Sequence, residues 1–220
     1  MDPKPWHPTA YNIQTPRLTL RTPTPADVEP FFKLLQTPQN FPHDPMEKDL
    51  TVEKLSEHVD RMVTAAASGK NGFLMFASRE TGELVGFGGY NCFEMHAPSA
   101  FLGNREAVEG EEKEEEERMT DFGVVLDYKH WRKRYGIEIL CALVEYARAE
   151  LGCELFRVET GMENGPWRAL MGAMGFGGSE RPAKASYDGA VECLAWRFDG
   201  GMWEEAKKGM REAGKWPLGG

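Results

Sequence analysis

This sequence has few cysteines, no long apolar stretch and fewer basic than acidic residues. Only four of the 220 residues are cysteines, and no two of them form a Cys-x-x-Cys pair. Their spacing gives no support for a zinc or redox motif and favours buried thiols in a reducing compartment. No apolar stretch is long enough to cross a membrane, and residues 1–8 lack the apolar segment of a signal peptide. We therefore expect a cytoplasmic protein with no metal and no membrane partner.

Acidic residues outnumber basic ones, 35 Asp and Glu against 26 Lys and Arg, which gives the chain a net charge of −9. Proteins that bind nucleic acids usually present a basic face, so we expect no nucleic-acid partner. Much of the acidity lies in residues 103–119 (GNREAVEGEEKEEEERM), which hold eight Glu against three basic residues. Such a run repels itself and buries little apolar area, which predicts a solvated, disordered insertion. The alternative is an acidic patch that binds a partner.

The remaining pattern is that of one α/β domain with short additions. We predict a proline-rich arm over residues 1–12, a domain over 13–200, and a C-terminal extension over 201–220 with a helix at 202–213. Alternating or apolar runs predict strands over residues 17–21, 73–78, 84–90, 121–126, 156–160 and 191–198. Caps, helical spacing and stop signals predict helices beginning near residue 24 and over 51–68, 135–151 and 166–174. A turn at residues 80–82 joins two strands as a hairpin, so the sheet cannot be wholly parallel.

Residues 121–140 (DFGVVLDYKHWRKRYGIEIL) hold the strongest functional signal. An apolar strand is followed by a basic turn, and Gly136 opens a helix. The unpaired N–H groups and the positive dipole end of a helix attract anions. Three consecutive cations, Arg132, Lys133 and Arg134, add to this, so we predict an anion site suited to a pyrophosphate. The alternative is a basic surface turn that binds nothing, but cations at a helix start reduce local stability, which favours the functional interpretation.

The same segment resembles the acyl-CoA-binding motif of the GNAT superfamily of N-acetyltransferases. The family pattern is Arg/Gln-x-x-Gly-x-Gly/Ala between a strand and a helix. Here Trp131 takes the first position, Arg134 that of the first glycine and Gly136 the last. Glu138 and Leu140 are similar to the branch of the family that modifies the N-termini of ribosomal proteins.

Four other segments resemble that branch in the same order along the chain. Residues 15–21 (TPRLTLR) are similar to its opening strand, 24–27 (TPAD) to its first helix cap and 82–89 (GELVGFGG) to its second hairpin. Asn164, followed by a helix that ends in Met-Gly-Phe at 174–176, is similar to its Asn-x-x-Ser motif and Leu-Gly-Phe ending. The resemblance thus covers residues 13–198.

The resemblance implies an α/β (α+β) fold and an acetyltransferase activity. We expect a mixed, largely antiparallel sheet of six to seven strands flanked by about four helices, with the fourth and fifth strands splayed apart. Acetyl-CoA would be the co-substrate, and the acetyl group would pass to a primary amine by direct attack on the thioester. The acceptor is left open between a peptide or protein N-terminus and a small amine. The oligomeric state is open too, with a homodimer as one option.

The resemblance also implies where acetyl-CoA binds. Backbone groups of the fourth strand would meet the pantetheine arm, and the loop and helix start would meet the diphosphate. The expected cofactor-binding residues are Val124, Val125, Leu126, Arg132, Lys133, Arg134, Tyr135, Gly136, Ile137, Asn164 and Trp167. Asn164 could equally be an ordinary helix N-cap. For a general base the sequence offers Asp121 and Glu192, each of which could equally be a surface carboxylate.

Three residues depart from the family pattern. Arg134 replaces a glycine of the phosphate loop, Trp167 stands where the branch usually has Ser, and Met171 occupies the position of a Tyr that protonates the leaving thiolate in many relatives. Together they motivate a second hypothesis, a catalytically degenerate GNAT-fold protein that binds CoA or a partner. A longer acyl donor on the same fold is a third.

Overall fold

The computed structural model describes residues 8–42, 49–103 and 114–219. Within these ranges the chain forms eight β-strands and six α-helices, together with short 3-10 turns. The strands are β1 Asn12–Gln14, β2 Leu18–Arg21, β3 Gly72–Ser78, β4 Leu84–His96, β5 Glu117–Leu126, β6 Leu155–Gly161, β7 Arg181–Ala185 and β8 Asp188–Asp199. The helices are α1 Val28–Leu35, α2 Val52–Ala67, α3 Pro98–Leu102, α4 Tyr135–Leu151, α5 Gly165–Ala173 and α6 Gly200–Glu212.

All eight strands belong to one mixed sheet in the order β1-β2-β3-β4-β5-β6-β8-β7. Five neighbouring pairs are antiparallel and β5 with β6 is parallel, which confirms the predicted mixed, largely antiparallel α/β fold. The ladder between β5 and β6, the fourth and fifth of the predicted strands, covers only Met119↔Leu155, Thr120↔Phe156 and Asp121↔Arg157. β5 therefore continues to Leu126, beyond the end of this ladder.

The described part of the chain has more elements than the six to seven strands and about four helices predicted. β1 lies partly in the predicted arm of residues 1–12, and its three residues are too few to show alternation. It nevertheless pairs with β2 through Ile13↔Leu20, and Tyr11 just before it is buried. The predicted end of the arm at residue 12 is therefore too late, because Tyr11 is buried and Asn12 belongs to β1. Residues 1–7 lie outside the described part. α3 has five residues, too few for helical spacing to be visible.

The predicted C-terminal boundary of the disordered insertion over residues 103–119 is also wrong. Residues 104–113 lie outside the described part, but residues 117–119 form the start of β5. Met119 is fully buried and packs with Phe101 of α3. The run contains many charged residues and few apolar ones, so it shows no apolar alternation, and for that reason the sequence pattern does not predict the start of this strand.

By its internal contacts the chain divides into two compact units, residues 1–91 with 123–143 and residues 92–122 with 144–220. The single domain over residues 13–200 stays a prediction. In the first unit, α1 and α2 pack on β3. The buried residues of this cluster are Val28, Phe31, Leu55, Val59 and Met75.

In the second unit, β8 is paired on both sides, with β6 and with β7. α6 follows β8 directly, and its N-cap Asp199 accepts a hydrogen bond from Met202 N at 2.7 Å. The predicted C-terminal helix is thus present. α6 buries Trp203 and Met210, so the segment over residues 201–220 supplies core side chains to this unit.

Glycines of β4 let β5 approach closely in the first unit. A Cβ on Gly86 would lie 2.3 Å from Val125 O, and one on Gly88 would lie 2.1 Å from Gly123 O. Real Cβ atoms do not come so near a backbone oxygen. The glycines of residues 86–89 therefore serve close strand packing, as expected where no helix follows them.

We expect Gly86→Ala to destabilise the protein by about 1–3 kcal/mol, the usual cost of forcing extra atoms into a packed region. The nearest atom is a carbonyl oxygen, so the backbone of β5 would have to move. Urea unfolding would measure the change. Gly161→Ala at the end of β6 is the matched control, because no heavy atom of a described residue other than its chain neighbours lies within 4 Å of its Cβ position. Equal stability of the two variants would show that the fold does not depend on this close approach.

Candidate active site

The turn after β5 is held by two polar contacts in the first unit. Tyr128 N donates to the side-chain oxygen of the buried Asn40 at 2.7 Å. The indole N–H of Trp131 donates to Leu126 O at 2.9 Å. These contacts fix a 3-10 turn, Tyr128–His130, between the end of β5 and the loop that precedes α4.

Residues 132–134 form this loop, which we call the cationic loop, and its backbone is unusual. Arg132 has a φ of 62° and Arg134 a φ of 64°, and no other non-glycine residue in the described part has a positive φ. A left-handed conformation costs a non-glycine residue about 1–2 kcal/mol. Strain of this kind is found at ligand sites, where the surrounding structure enforces it. Left-handed residues in a turn also help to bring successive N–H groups to one concave side, which binds anions.

The positive φ of Arg134 explains why the motif that this loop resembles has a glycine there. Glycine adopts a left-handed conformation without the penalty that a Cβ imposes. Here the residue has the glycine-like conformation although it is an arginine. The departure at this position therefore changes the side chain and leaves the handedness that suits a phosphate loop.

α4 begins at Tyr135 without a Ser, Thr, Asp or Asn before it. Its first intrahelical hydrogen bond runs from Glu138 N to Arg134 O at 3.4 Å. The N–H groups of Tyr135, Gly136 and Ile137 precede that bond and have no acceptor within the helix. Together with the positive dipole end they form a place that attracts an anion.

Arg132 and Lys133 add positive charge to this helix start. Both side chains are exposed, and neither forms an ion pair with another residue of the described part. Cations are unfavourable at this end of a helix, because they face its positive dipole. Their presence beside uncapped amides therefore favours a negatively charged ligand.

His130 is buried two residues before the cationic loop, and its ring lies 5.9 Å from that of Tyr135. Neither ring nitrogen has a hydrogen-bond partner in the part of the chain that the structure describes. Burial lowers the pKa of His130, and the nearby charge of Lys133 lowers it further. The imidazole is therefore neutral at neutral pH, with a carboxylate oxygen of Glu83 3.9 Å from Nε2.

Glu138, in the first turn of α4, is 1% exposed and joins this turn to the N-terminal segment. Its Oε1 accepts from Thr15 Oγ1 at 2.6 Å and from Arg17 N at 3.0 Å. Its Oε2 accepts from Arg17 Nε at 2.7 Å and lies 2.6 Å from Arg17 Nη2. Arg17 also donates from Nη1 to Lys133 O at 2.9 Å. The sequence motifs contain these residues, but nothing in them indicates that they pair.

The two carboxylates predicted as candidate bases have partners of their own. Asp121 is buried, and its Oδ2 accepts from Arg157 Nε at 2.8 Å. Glu192 is exposed on β8 and lies 3.4 Å from Lys184 Nζ. Each is thus engaged with a cation of the second unit, as a structural ion pair would be. Their catalytic role stays a prediction.

Asn164 and Trp167 meet at the start of α5 in the second unit. Asn164 Oδ1 accepts from Trp167 N at 3.1 Å, and its Nδ2 donates to Thr160 Oγ1 at 2.8 Å. Asn164 is therefore the N-cap of α5, one of its two interpretations. Trp167 Nε1 is buried without a hydrogen-bond partner among the described residues. An unpaired buried donor costs about 1–3 kcal/mol. Contact of either residue with a cofactor stays a prediction.

Comparison with protein families places most of the chain in a known one. Residues 17–177 match the family model described as acetyltransferase (GNAT) domain. The chain belongs to the GNAT acetyltransferase family. The resemblance found in the sequence is thereby confirmed, and the family supports an acyltransferase activity. No curated protein matches the chain.

Solved GNAT structures share the fold of this chain. An acetyltransferase from Agrobacterium tumefaciens is 23% identical, with a TM-score of 0.57, over 86% of this chain and 94% of its own. The Salmonella typhimurium acetyl transferase that modifies the N-terminal serine of ribosomal protein L7/L12 is 15% identical, with a TM-score of 0.61, over 86% and 99%. RimL, an L7/L12 α-N-protein acetyltransferase solved with coenzyme A, is 15% identical, with a TM-score of 0.64, over 86% and 98%. At these identities the likeness shows the fold alone.

The described residues were also compared with the patterns of a membrane span and of a metal site. Among the described residues, no helix is both long and apolar enough to span a membrane. The same residues include no cluster of three or more His, Cys, Asp or Glu side chains that could hold a metal. The expected absence of a metal stays a prediction. Cys141, Cys153 and Cys193 are buried, as predicted, whereas Cys92 is only half-buried.

Proposed function

We propose that this protein is an acetyl-CoA-dependent N-acetyltransferase that passes an acetyl group to a primary amine by direct attack on the thioester. The cationic loop is the observation that carries the proposal, because its two left-handed arginines lead into a helix start without a polar cap. A CoA diphosphate has the negative charge that such N–H donors and cations suit. The residues present therefore fit the group, which brings the activated acetyl to the reaction.

The first unit supplies the residues that would hold the diphosphate. The N–H groups of Tyr135, Gly136 and Ile137 would donate to phosphate oxygens, and the exposed side chains of Arg132 and Lys133 would offset their charge. The side chain of Arg134 adds a third cation. This assignment rests on the backbone of the loop as much as on its charge, because left-handed residues direct the N–H groups.

The end of β5 supplies the backbone groups that would hold the pantetheine arm and polarise the thioester. β5 continues to Leu126 after its ladder with β6 ends at Asp121, and strand N–H and C=O groups that lie beyond a ladder can bind a ligand. We assign this function to Val124, Val125 and Leu126. Main-chain donors aimed at a developing oxyanion can supply several kcal/mol of stabilisation in the transition state.

An α-amine is the acceptor that needs the least help from a general base. At neutral pH an α-amine of pKa ~7.8 loses its proton for about 1 kcal/mol, whereas a lysine-like amine of pKa ~10.4 needs about 4–5 kcal/mol. Asp121 and Glu192 are both engaged with cations, so an acceptor that needs little help from a base fits better. We therefore place a peptide or protein N-terminus ahead of a strongly basic small amine.

The leaving thiolate would depart without a tyrosine acid on α5. Met171 occupies that position, and its thioether has no proton to donate; the side chain is fully buried. For a thiol of pKa ~8.5, departure without protonation at neutral pH costs roughly 2 kcal/mol. An enzyme can bear such a loss, because catalysis lowers barriers by about 8 kcal/mol or more.

The second candidate is a degenerate GNAT-fold protein that binds CoA or a partner without catalysis. Met171 and Trp167 favour it, because both depart from residues that act near the thiol. Arg134 no longer favours it, because its backbone has the conformation that the glycine would adopt. In either case we expect a cytoplasmic protein without nucleic-acid or membrane partners, and the oligomeric state is left open.

Calorimetry with CoA and a thiol-release assay with acetyl-CoA separate the two candidates. For the enzyme we expect CoA binding together with thiol release that requires an amine. Peptides with free and with blocked N-termini, and a set of small amines, would identify the acceptor. CoA binding without thiol release on any amine would favour the degenerate protein, and failure to bind CoA would contradict the enzyme. Acyl-CoAs of increasing chain length test for a longer donor.

A further inference from the structure

The buried carboxylate of Glu138 connects two segments that are far apart in the sequence. It receives hydrogen bonds from the hydroxyl of Thr15 and from the backbone and side chain of Arg17. The segment that carries these donors leads directly into β2, which pairs with β3. The first turn of α4 is thereby attached to the sheet of the first unit.

Arg17 extends this connection into the cationic loop. Its guanidinium gives two donors to Glu138 and a third to the carbonyl of Lys133, the residue between the two left-handed arginines. The same guanidinium lies over the ring of Tyr135, 4.4 Å from its centre. Arg17 therefore touches the loop and the first residue of α4 together.

We propose that Arg17 and Glu138 are positioning residues that hold the cationic loop in the conformation that binds a diphosphate. In a trans peptide the C=O and the N–H point in opposite directions. By holding the carbonyl of Lys133, Arg17 fixes the plane of the peptide between Lys133 and Arg134 and directs its N–H to the other side. The left-handed residues on each side of Lys133 then cannot relax without breaking a charge-assisted hydrogen bond. This inference rests on the proposed CoA site, since it explains how that site is kept in shape.

Positioning and simple charge predict opposite effects when Glu138 is neutralised. Glu138→Gln removes a negative charge and leaves Arg17 without its partner, so charge alone predicts tighter binding of an anion. Loss of the hold on Lys133 predicts weaker binding, because the N–H groups no longer converge. The sign of the change therefore distinguishes the two explanations.

The experiment measures CoA affinity by calorimetry and amide hydrogen exchange of residues 132–137 by mass spectrometry. We expect Glu138→Gln and Arg17→Lys to bind CoA at least tenfold more weakly than wild type and to exchange faster in this segment. Arg17→Lys keeps the charge but loses the guanidinium fork, and because the side chain of Arg17 is 44% exposed the fold should tolerate it even if Glu138→Gln fails to fold.

The matched control is Asp27→Asn, in another buried ion pair of the same unit. Asp27 receives two hydrogen bonds of 2.7 Å from Arg21, so its replacement also frees an arginine and raises the net charge by the same amount. The side-chain hydrogen bonds and the ion pair of Arg21 and Asp27 join them to each other, to Thr22 and to Thr24, none of which belongs to the cationic loop. We expect it to lower stability while CoA affinity and exchange of residues 132–137 stay within twofold of wild type.

Affinity and exchange within twofold of wild type in Arg17→Lys would overturn the inference, and so would weaker binding without faster exchange. Equal effects of Asp27→Asn on both measurements would also overturn it, because the effect would then be global. If wild type does not bind CoA, the proposed function fails by itself. The exchange of residues 132–137 still decides whether Arg17 and Glu138 hold the loop.

Discussion

Reversal of the charge at Arg132 and Lys133, by replacing both with Glu, is expected to weaken CoA binding by about 100-fold or more. Hydrogen bonds to charged groups contribute roughly 1.5–3 kcal/mol each, and about 1.4 kcal/mol corresponds to a tenfold change in affinity. Two lost contacts therefore account for this effect, and repulsion between the new carboxylates and the diphosphate adds to it. Calorimetry at low salt would measure the affinity, and thermal unfolding would check that the variant is folded.

The matched control reverses two exposed cations elsewhere in the same unit, Arg61→Glu together with Lys70→Glu. It changes the net charge by the same amount, so a general electrostatic effect would weaken binding equally in both variants. If the diphosphate contacts the cationic loop directly, the CoA affinity of the control should change little, while that of the loop variant falls strongly. Added salt should narrow the difference between wild type and the loop variant, because it screens exposed charges. Equal affinity of wild type and the loop variant would remove these cations from the site.

The elements around the cationic loop could be predicted from the sequence because their signals are local. α4 has the predicted bounds, residues 135–151, since its apolar spacing and Gly136 lie within the helix itself. α2 begins after Thr51, whose hydroxyl accepts from Lys54 N at 3.3 Å as an N-cap should. The hairpin of β3 and β4 follows from the turn at residues 80–82. Each of these signals lies within a few residues of the feature that it predicts.

Backbone conformations without such a signal could not be predicted. Nothing about an arginine indicates a left-handed φ, so the strain at Arg132 is visible only in the structure. At Arg134 the only indication is a glycine in the family pattern. β4 runs to His96, whereas the predicted strand ends at residue 90. The prediction stops too early because residues 91–96 (NCFEMH) do not show a clear alternation. The pattern therefore identifies the loop but not the geometry that makes it suit an anion.

Contacts between distant segments are equally invisible in a single sequence. Arg17 and Glu138 are 121 positions apart, and Asn40 and Tyr128 are 88 apart. Apolar spacing tells which face of an element is buried, but it does not tell which polar group meets which. For that reason the residues predicted to bind CoA are those that local motifs indicate, in β5, in the cationic loop and at the starts of α4 and α5. The residues that support the loop appear only when β2 and α4 are seen together.

Trp203→Ala is expected to lower the free energy of unfolding by about 3–5 kcal/mol, the usual range when a large aromatic side chain is removed from a core. Trp203 is fully buried in α6, and its ring centre lies 6.4 Å from that of Phe198 and 6.1 Å from that of Trp216. Its Nε1 also donates to Glu145 Oε1 at 2.6 Å. The substitution thus leaves a cavity and removes a hydrogen bond. Urea unfolding would measure the loss.

Met202→Ala is the matched control, because Met202 precedes Trp203 in the same helix and is 39% exposed. A surface substitution of this kind should change stability by no more than about 0.5 kcal/mol. Trp203→Phe keeps an aromatic ring and should recover part of the loss, which separates filled volume from the hydrogen bond to Glu145. If Trp203→Ala were no less stable than Met202→Ala, α6 would lie outside the core of the second unit. Residues 201–220 would then be the appended extension that their position in the sequence suggests.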